Sequence, residues 1–374
     1  MGDTGVRNEA LYEALREAGM TYEQLAAGVR IVAAESGDSL RTGKSTVSQW
    51  LAGSKMPAPQ TAVYIAEALS RRLGRQVQPS GLGLGANEDR PQSALGAHLG
   101  PDPVDMLRRL GEADIHRRKL LANAAYSVAA AALPLGAAQA VEYEERARSP
   151  RRAGRAEVEA VRDMTQMFTT IDERHGGQHG RTAVVQYLRE DVAALCRATF
   201  PSEREQREML SAAASVAYLC GWKAYDASEH GLAQRYYLQA YALTREAGDE
   251  LHGAWILRIL AHNGMDIRRP EHTLDLAEAA LDRVRGKLAP AAEALFVVTR
   301  ARALANAGRG PEAVAQARQA QDMVVRGEQE EVPSWAALWG VARATVSSHT
   351  AKTFRALGDH ANAERHYAES ARRR

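Results

Sequence analysis

The sequence predicts an all-α protein in which a small N-terminal helical domain precedes a larger helical-repeat solenoid. Three observations carry that expectation. Alanine, leucine, arginine and glutamate dominate while phenylalanine occurs only four times, a balance that favours helices over sheets. Apolar residues recur at helical spacing through the first 75 or so positions and again beyond Asp105. Small residues then repeat at a fixed spacing between Gly221 and Ser370, which is what stacked helical hairpins require.

Taken in order, Asn8 to Ala18 forms the first helix, with Leu11, Ala14, Leu15 and Ala18 on one face and Gly19 as its stop. Thr21 and Gln24 are spaced as a capping box: the hydroxyl caps the next helix while the amide reaches back to the first free N–H. Leu25, Val29 and Val32 or Ala33 continue the apolar stripe, and Gly37 to Gly43 reads as a loop. Ser45 is the expected cap of a short helix, Thr46 to Ala52, ended by Gly53. After Pro57-Ala58-Pro59, Gln60 to Leu73 is a fourth helix carrying Val63, Ile65, Ala66 and Leu69 inward. These helices make up a domain over residues 1–77. Glycine and proline recur without period from Gln78 to Pro103, so 78–103 is expected to be a flexible linker.

Residues 104–150 are expected to hold a linker helix or a buried apolar helix. Leu120 to Ala140 has no charged residue and follows Arg117-Arg118-Lys119, the outline of a membrane span. It is mostly alanine, however, with Asn123, Ser127, Pro134 and Gly136 inside it, and alanine contributes little to insertion. Met1 to Arg16 has no apolar core of the kind a signal peptide carries. Cys196 and Cys220 are too few for a disulfide scaffold or a zinc cluster. Together these point to a reducing, cytoplasmic setting.

Residues 151–374 are expected to be the repeat domain. Gly221, Ala233, Tyr237 and Ala240 define a pattern that returns at Ala261, Thr273, Ala277 and Ala280, then at Ala301, Ala313, Ala317 and Ala320, and finally at Ala351, Ala363, Tyr367 and Ser370. Small side chains at these places let two antiparallel helices approach closely. Turns fall between them at Gly231, Pro270, Gly308 to Gly310 and Gly358-Asp359. The pattern resembles tetratricopeptide repeats with a longer period.

The most informative segment is Ser45-Thr46-Val47-Ser48-Gln49-Trp50-Leu51. Val47, Trp50 and Leu51 share the face that must be buried, while Thr46, Ser48 and Gln49 share a polar face near the helix N-terminus. Such a helix suits the major groove of double-stranded DNA. A glutamine amide pairs with adenine, and hydroxyls accept several bases. The whole-chain net charge of +2 is unremarkable. From Arg41 to Arg75, however, six cations (Arg41, Lys44, Lys55, Arg71, Arg72, Arg75) face one acid, Glu67, a local excess of five.

On these residues the N-terminal segment resembles the lambda-repressor-like, or xenobiotic-response-element-type, helix-turn-helix regulators. Met20 to Ala26 is similar to their second helix, and Ser45 to Pro57 to their third. The whole chain resembles actinobacterial regulators that join such a domain to tetratricopeptide repeats, through Ala66 to Arg75, Gly81 to Gly85, Ile171 to Gly177, Gln186-Tyr187-Leu188, Gly221-Trp222 and Ala233 to Tyr237. The segment between Ala26 and Ser45 is about ten residues longer than an ordinary helix-turn-helix turn. The resemblance implies a phosphate contact at the start of the second helix, where Tyr22 replaces the family's frequent glutamine. The expected DNA-contacting residues are therefore Tyr22, Arg41, Lys44, Ser45, Thr46, Ser48, Gln49 and Lys55. The resemblance further implies a peptide or protein ligand in the repeat groove, and the need for paired half-sites implies a homodimer.

A scaffold that binds partners through its repeats, with a helix-turn-helix that does not bind DNA, is the competing reading. No enzyme activity, cofactor or metal is expected, because no phosphate loop, metal-spaced histidine pair on a helix or nucleophile elbow occurs. Gly81 to Gly85 lacks the lysine of a phosphate loop, and His175 and His179 stand without a cysteine or an acidic cluster. Trp335 and Trp339 read as core, Glu328 to Glu331 as a solvated loop and Arg372 to Arg374 as a basic end.

Overall fold

The computed structural model describes residues 8–35, 38–75, 77–84, 96, 99, 102–116, 126–127, 151–175, 180–269, 272–327, 332–337 and 341–373. Pro270, His179, Trp339, Arg374, the acidic run at 328–331 and all but two residues of the apolar stretch 120–140 lie outside them. The described residues are overwhelmingly helical. They contain no strand, only one isolated parallel bridge between Arg152 and Thr199. None of the described helices is long and apolar enough to cross a membrane.

Four helices build the N-terminal head: α1 (Glu9–Glu17), α2 (Tyr22–Glu35), α3 (Lys44–Leu51) and α4 (Pro59–Leu73). Their ends follow from local chemistry. Asn8 caps α1 by accepting from the Leu11 amide. The Thr21 hydroxyl accepts from the Gln24 amide at 3.2 Å while Gln24 accepts from the Thr21 amide at 2.8 Å, so the capping box forms. Pro59 opens α4 and left-handed Gly74 closes it. Ser45 does not cap α3. The helix starts at Lys44, two residues earlier than expected, and Gly43, extended and without a side chain to offer, occupies the cap position.

The head has its own core, running from Leu11 to Leu84 and including Leu25, Val29, Val47, Trp50, Tyr64, Ile65 and Leu69. Leu82 and Leu84, beyond the fourth helix, belong to it through a 3-10 turn at Ser80–Leu82.

A second, larger core extends from Val104 to Val346. Its first elements are α5 (Pro103–His116), α6 (Arg155–His175), α7 (Arg181–Tyr187) and α8 (Ala193–Cys196), the last two joined by a π-helical stretch at Leu188–Val192. Helix pairs follow: α9 (Glu203–Asp226) with α10 (His230–Glu246), α11 (Glu250–Asp266) with α12 (Thr273–Val284), and α13 (Pro290–Asn306) with α14 (Gly310–Arg326). After the short α15 (Ser334–Ala337), α16 (Ala342–Ala356) pairs with α17 (His360–Arg373). The first helices of successive pairs also touch one another, α9 with α11, α11 with α13 and α13 with α16.

The repeated small residues sit where these pairs close. Ala233, Ala240, Ala261, Ala301, Ala313, Ala317, Ala320 and Ala351 are all fully buried, and Thr273, Ala277, Ala280, Ala363 and Ser370 nearly so. At Gly221 the approach is closest: a Cβ there would lie 2.5 Å from the Tyr237 ring and 3.2 Å from the Ala233 carbonyl oxygen. Two free cysteines, Cys196 and Cys220, are buried in this core. Trp335, four residues before an undescribed tryptophan, is core: its ring lies 5.6 Å from Trp255 and stacks nearly parallel on His252 at 5.8 Å.

Burial of His252, His262 and His349 makes this domain acid-sensitive. Burial pulls His252 and His262 down to about 4, and His349 well below its ordinary value, where His262 and the nearby cations add to the effect. The folded state therefore rejects a proton that the unfolded chain accepts near 6.5. Stability is fully present above that value and declines as the pH falls toward 4, by at most about 1.4 kcal/mol per pH unit for each histidine. Asp226, pushed up to about 6 by burial and Asp172, works in the opposite direction; it is partly exposed, so its effect is the smaller. The denaturant midpoint is expected to drop between pH 6.5 and 5, before most carboxylates titrate. A midpoint that is flat across this window would contradict it.

A candidate nucleic-acid interface on the third helix

Helix α3 is set on the head by three side chains: Val47, Trp50 and Leu51 are 0%, 3% and 3% exposed. Its far end is fixed from α1, whose Asn8 amide donates to the Leu51 carbonyl at 2.8 Å. Left-handed Gly53 turns the chain back, and the Ser54 and Lys55 amides close onto the Gln49 carbonyl. With one face buried, Ser45, Ser48 and Gln49 are exposed and Thr46 is half-exposed. No side chain caps the N-terminus of α3, so its positive dipole end and first amides face outward, as an anion-binding helix end does.

The long connection between α2 and α3 is braced at both sides. Tyr64, fully buried in α4, donates its hydroxyl to Asp38 at 2.5 Å. The Arg30 guanidinium donates to the Thr42 carbonyl, and Thr42 is itself buried. Leu40 packs on the head core between these two ties. The loop thereby carries Arg41 and Lys44, both exposed, to the start of α3, while Lys55, also exposed, stands just past its end. Sequence reading missed Arg30, Asp38 and Tyr64. The available signal was the tyrosine on the inward face of α4, whose hydroxyl needs a partner once buried.

Tyr22, the first residue of α2, is half-buried and packs against the head core. The basic footprint is smaller than the local charge count implied, because three of its six cations are engaged elsewhere. Arg71 pairs with Glu67 and Glu35, both at 2.8 Å, Arg75 pairs with Glu17, and Arg72 donates to the Ala18 carbonyl at 3.2 Å. Counting charges along a helix cannot reveal that its last turn faces acids of other helices. Arg41, Lys44 and Lys55 remain around α3.

A family model described as the SP15 N-terminal domain matches residues 11–85. This segment is similar to that domain. The match begins and ends with the head core, Leu11 to Leu84, and spans about a fifth of the chain. No curated protein matches the chain.

The helix pairs hold a polar cluster that the sequence did not reveal. Asp266, at the end of α11, accepts from the Tyr225 hydroxyl of α9 at 2.5 Å and contacts His262 Nε2 at 2.8 Å. Arg302 of α13 pairs with it directly, and Lys352 Nζ of α16 lies 3.6 Å away. His349 of α16 stacks on His262 at 4.9 Å. Burial opposes its charge, but His262, Arg302 and Lys352 hold the Asp266 carboxyl far below its ordinary range. One carboxylate thus gathers a polar group from the first helix of each of the four pairs.

Proposed function

We propose that the protein is a sequence-specific DNA-binding transcription regulator. Its head reads the major groove through α3, and its paired helices form a tetratricopeptide-like solenoid that dimerises and takes a peptide or protein ligand. The observation that carries this reading is the division of α3. Its apolar face is buried in the head, while Ser45, Ser48 and Gln49 stand exposed beside an uncapped N-terminus. Arg41, Lys44 and Lys55 supply the phosphate contacts, and Gln49 the adenine contact.

Paired half-sites follow from the small reach of an eight-residue helix. The dimer contact is assigned to residues beyond 105 because the head is small and most of its apolar residues, Ile31 and Met56 apart, are buried in its own core. In this reading the ligand acts on the polar cluster around Asp266, which joins the first helices of all four pairs.

The test separates base contacts from phosphate contacts on full-length protein. Gln49→Ala is expected to relax preference at one base pair by about 1–3 kcal/mol with little change in overall salt dependence. Lys55→Ala is expected to weaken every sequence alike and reduce the slope of log affinity against log salt by about one. If Gln49→Ala binds with unchanged base preference, α3 is not the reading helix. If no DNA is bound in a salt-dependent manner, the head is a protein-contact module on a scaffold.

A further inference from the structure

The head is not merely tethered to the solenoid; charged groups cross the boundary between them. Glu35, the last residue of α2, pairs with Arg71 of α4 and with Arg269 in the turn after α11. Arg71 also donates to the Tyr126 carbonyl at 3.2 Å. The adjacent Ser127 exchanges two hydrogen bonds with the Gln234 amide of α10, at 2.7 and 2.6 Å. Next along α10, Arg235 is 3% exposed; burial pulls its guanidinium down to about 10, and Glu67 of α4, itself 6% exposed, works against that fall. The recognition face of α3 is not part of this contact: Ser48 and Gln49 remain exposed.

The solenoid side of the clamp is anchored in one place. Arg269 follows Asp266 by three residues, and its backbone amide donates to the Gly264 carbonyl at 2.8 Å, with Arg268 left-handed between them. Gly264 leaves no slack, since a Cβ there would lie 2.8 Å from Thr273 and 3.1 Å from the Tyr126 hydroxyl. The carboxylate that collects the four helix pairs and the guanidinium that grips the head therefore stand on one rigid helix end.

We propose that the C-terminus of α11 is a relay: the Asp266 cluster sets the position of Arg269, and Arg269 with Glu35 sets the position of the DNA-reading head on the solenoid. A ligand that repacks the Asp266 cluster would then move the heads of a dimer relative to one another. It would do so only by binding one arrangement more tightly than the other. The relay gives the proposed regulator its control route and rests on that reading for its purpose.

Spin labels at Ser54→Cys in the head and Arg318→Cys on α14, both exposed positions, report the distance in the full chain without DNA. Burial pushes the Cys196 thiol up to about 12 and Cys220 higher still, so neither competes for the label. With labelled chain diluted in a large excess of unlabelled wild-type chain, so that a dimer carries one labelled protomer, the wild-type background is expected to give one narrow distance distribution. Arg269→Glu, which sets a carboxylate against Glu35, is expected to lose that single peak. Asp266→Asn, which touches nothing in the head, is expected to broaden or displace it. Should Asp266→Asn fail to fold, Tyr225→Phe removes one hydroxyl from the same cluster and takes its place.

A broad wild-type distribution, or an unchanged one in Arg269→Glu, overturns the clamp. An unchanged distribution in a folded Asp266 or Tyr225 variant overturns the relay. Because no DNA is present, loss of DNA binding beside a narrow wild-type distribution would count against the regulator and leave the clamp standing.

Discussion

Replacing Trp50 with alanine is expected to unfold the head and leave the helix pairs folded. Trp50 is 3% exposed and sits in a core of about twenty buried side chains that is separate from the core of the pairs. Truncating a buried aromatic residue to alanine typically costs ~3–5 kcal/mol, against a total of roughly 5–15 kcal/mol for a whole domain. A small head has little to spare. α3 makes the loss worse, because Trp50 is one of only three side chains that hold that helix down.

Hydrogen exchange read peptide by peptide is the suitable probe, since it assigns the change to a segment. Peptides within residues 11–73 are expected to lose protection while those within 203–326 keep it. Wild-type protection throughout the head would mean that Trp50 does not hold α3 in place.

The second large effect is expected at Arg181. This side chain is 3% exposed and pairs with Asp114 of α5 at 2.9 Å and with Glu229 before α10 at 2.5 Å. Asp114, 1% exposed, also accepts from the Tyr236 hydroxyl at 2.9 Å. Burial works against the guanidinium, but Glu229 and Asp114 outweigh it and raise its affinity for the proton.

Arg181→Met keeps the volume and removes the charge, leaving a carboxylate buried against a tyrosine. Breaking such a pair from one side typically costs ~3–5 kcal/mol. The double variant Arg181→Met with Asp114→Asn removes the stranded charge and is expected to recover much of the loss, a non-additivity that a double-mutant cycle reads directly. If the calorimetric loss of the double variant is simply the sum of the losses of Arg181→Met and Asp114→Asn alone, the network is not one unit.

Local features were legible because they depend on neighbours in the chain. Thr21 and Gln24 announce a helix start through two hydrogen bonds three residues apart, and the spacing of Val47, Trp50 and Leu51 gives the buried face of α3. The repeated small residues from Gly221 onward were legible for a related reason. Close helix approach leaves a mark at each of its points of contact, and four copies of one pattern are hard to produce otherwise.

What the sequence hid depends on pairs brought together by tertiary packing. Arg71 reads as a free cation until Glu35 of α2, which it shares with Arg269, is seen beside it. Asp266 reads as the polar end of an ordinary helix, although groups from residues 225, 262, 302 and 352 converge on it. The cap of α3 was misplaced by two residues because serine is the better capping side chain, whereas the extended backbone at Gly43 decides where the helix begins.

The claim on which the account rests is that α3 reads DNA sequence, and selection from a random duplex pool tests it most directly. Full-length wild-type protein, at near-physiological salt, is expected to enrich an inverted repeat whose half-sites lie about one helical turn, 10–10.5 base pairs, apart or a multiple of that spacing. Gln49→Ala is expected to enrich the same repeat with one position in each half-site degenerate. A pool that stays unenriched with folded wild-type protein, or an identical motif from both proteins, would contradict the account.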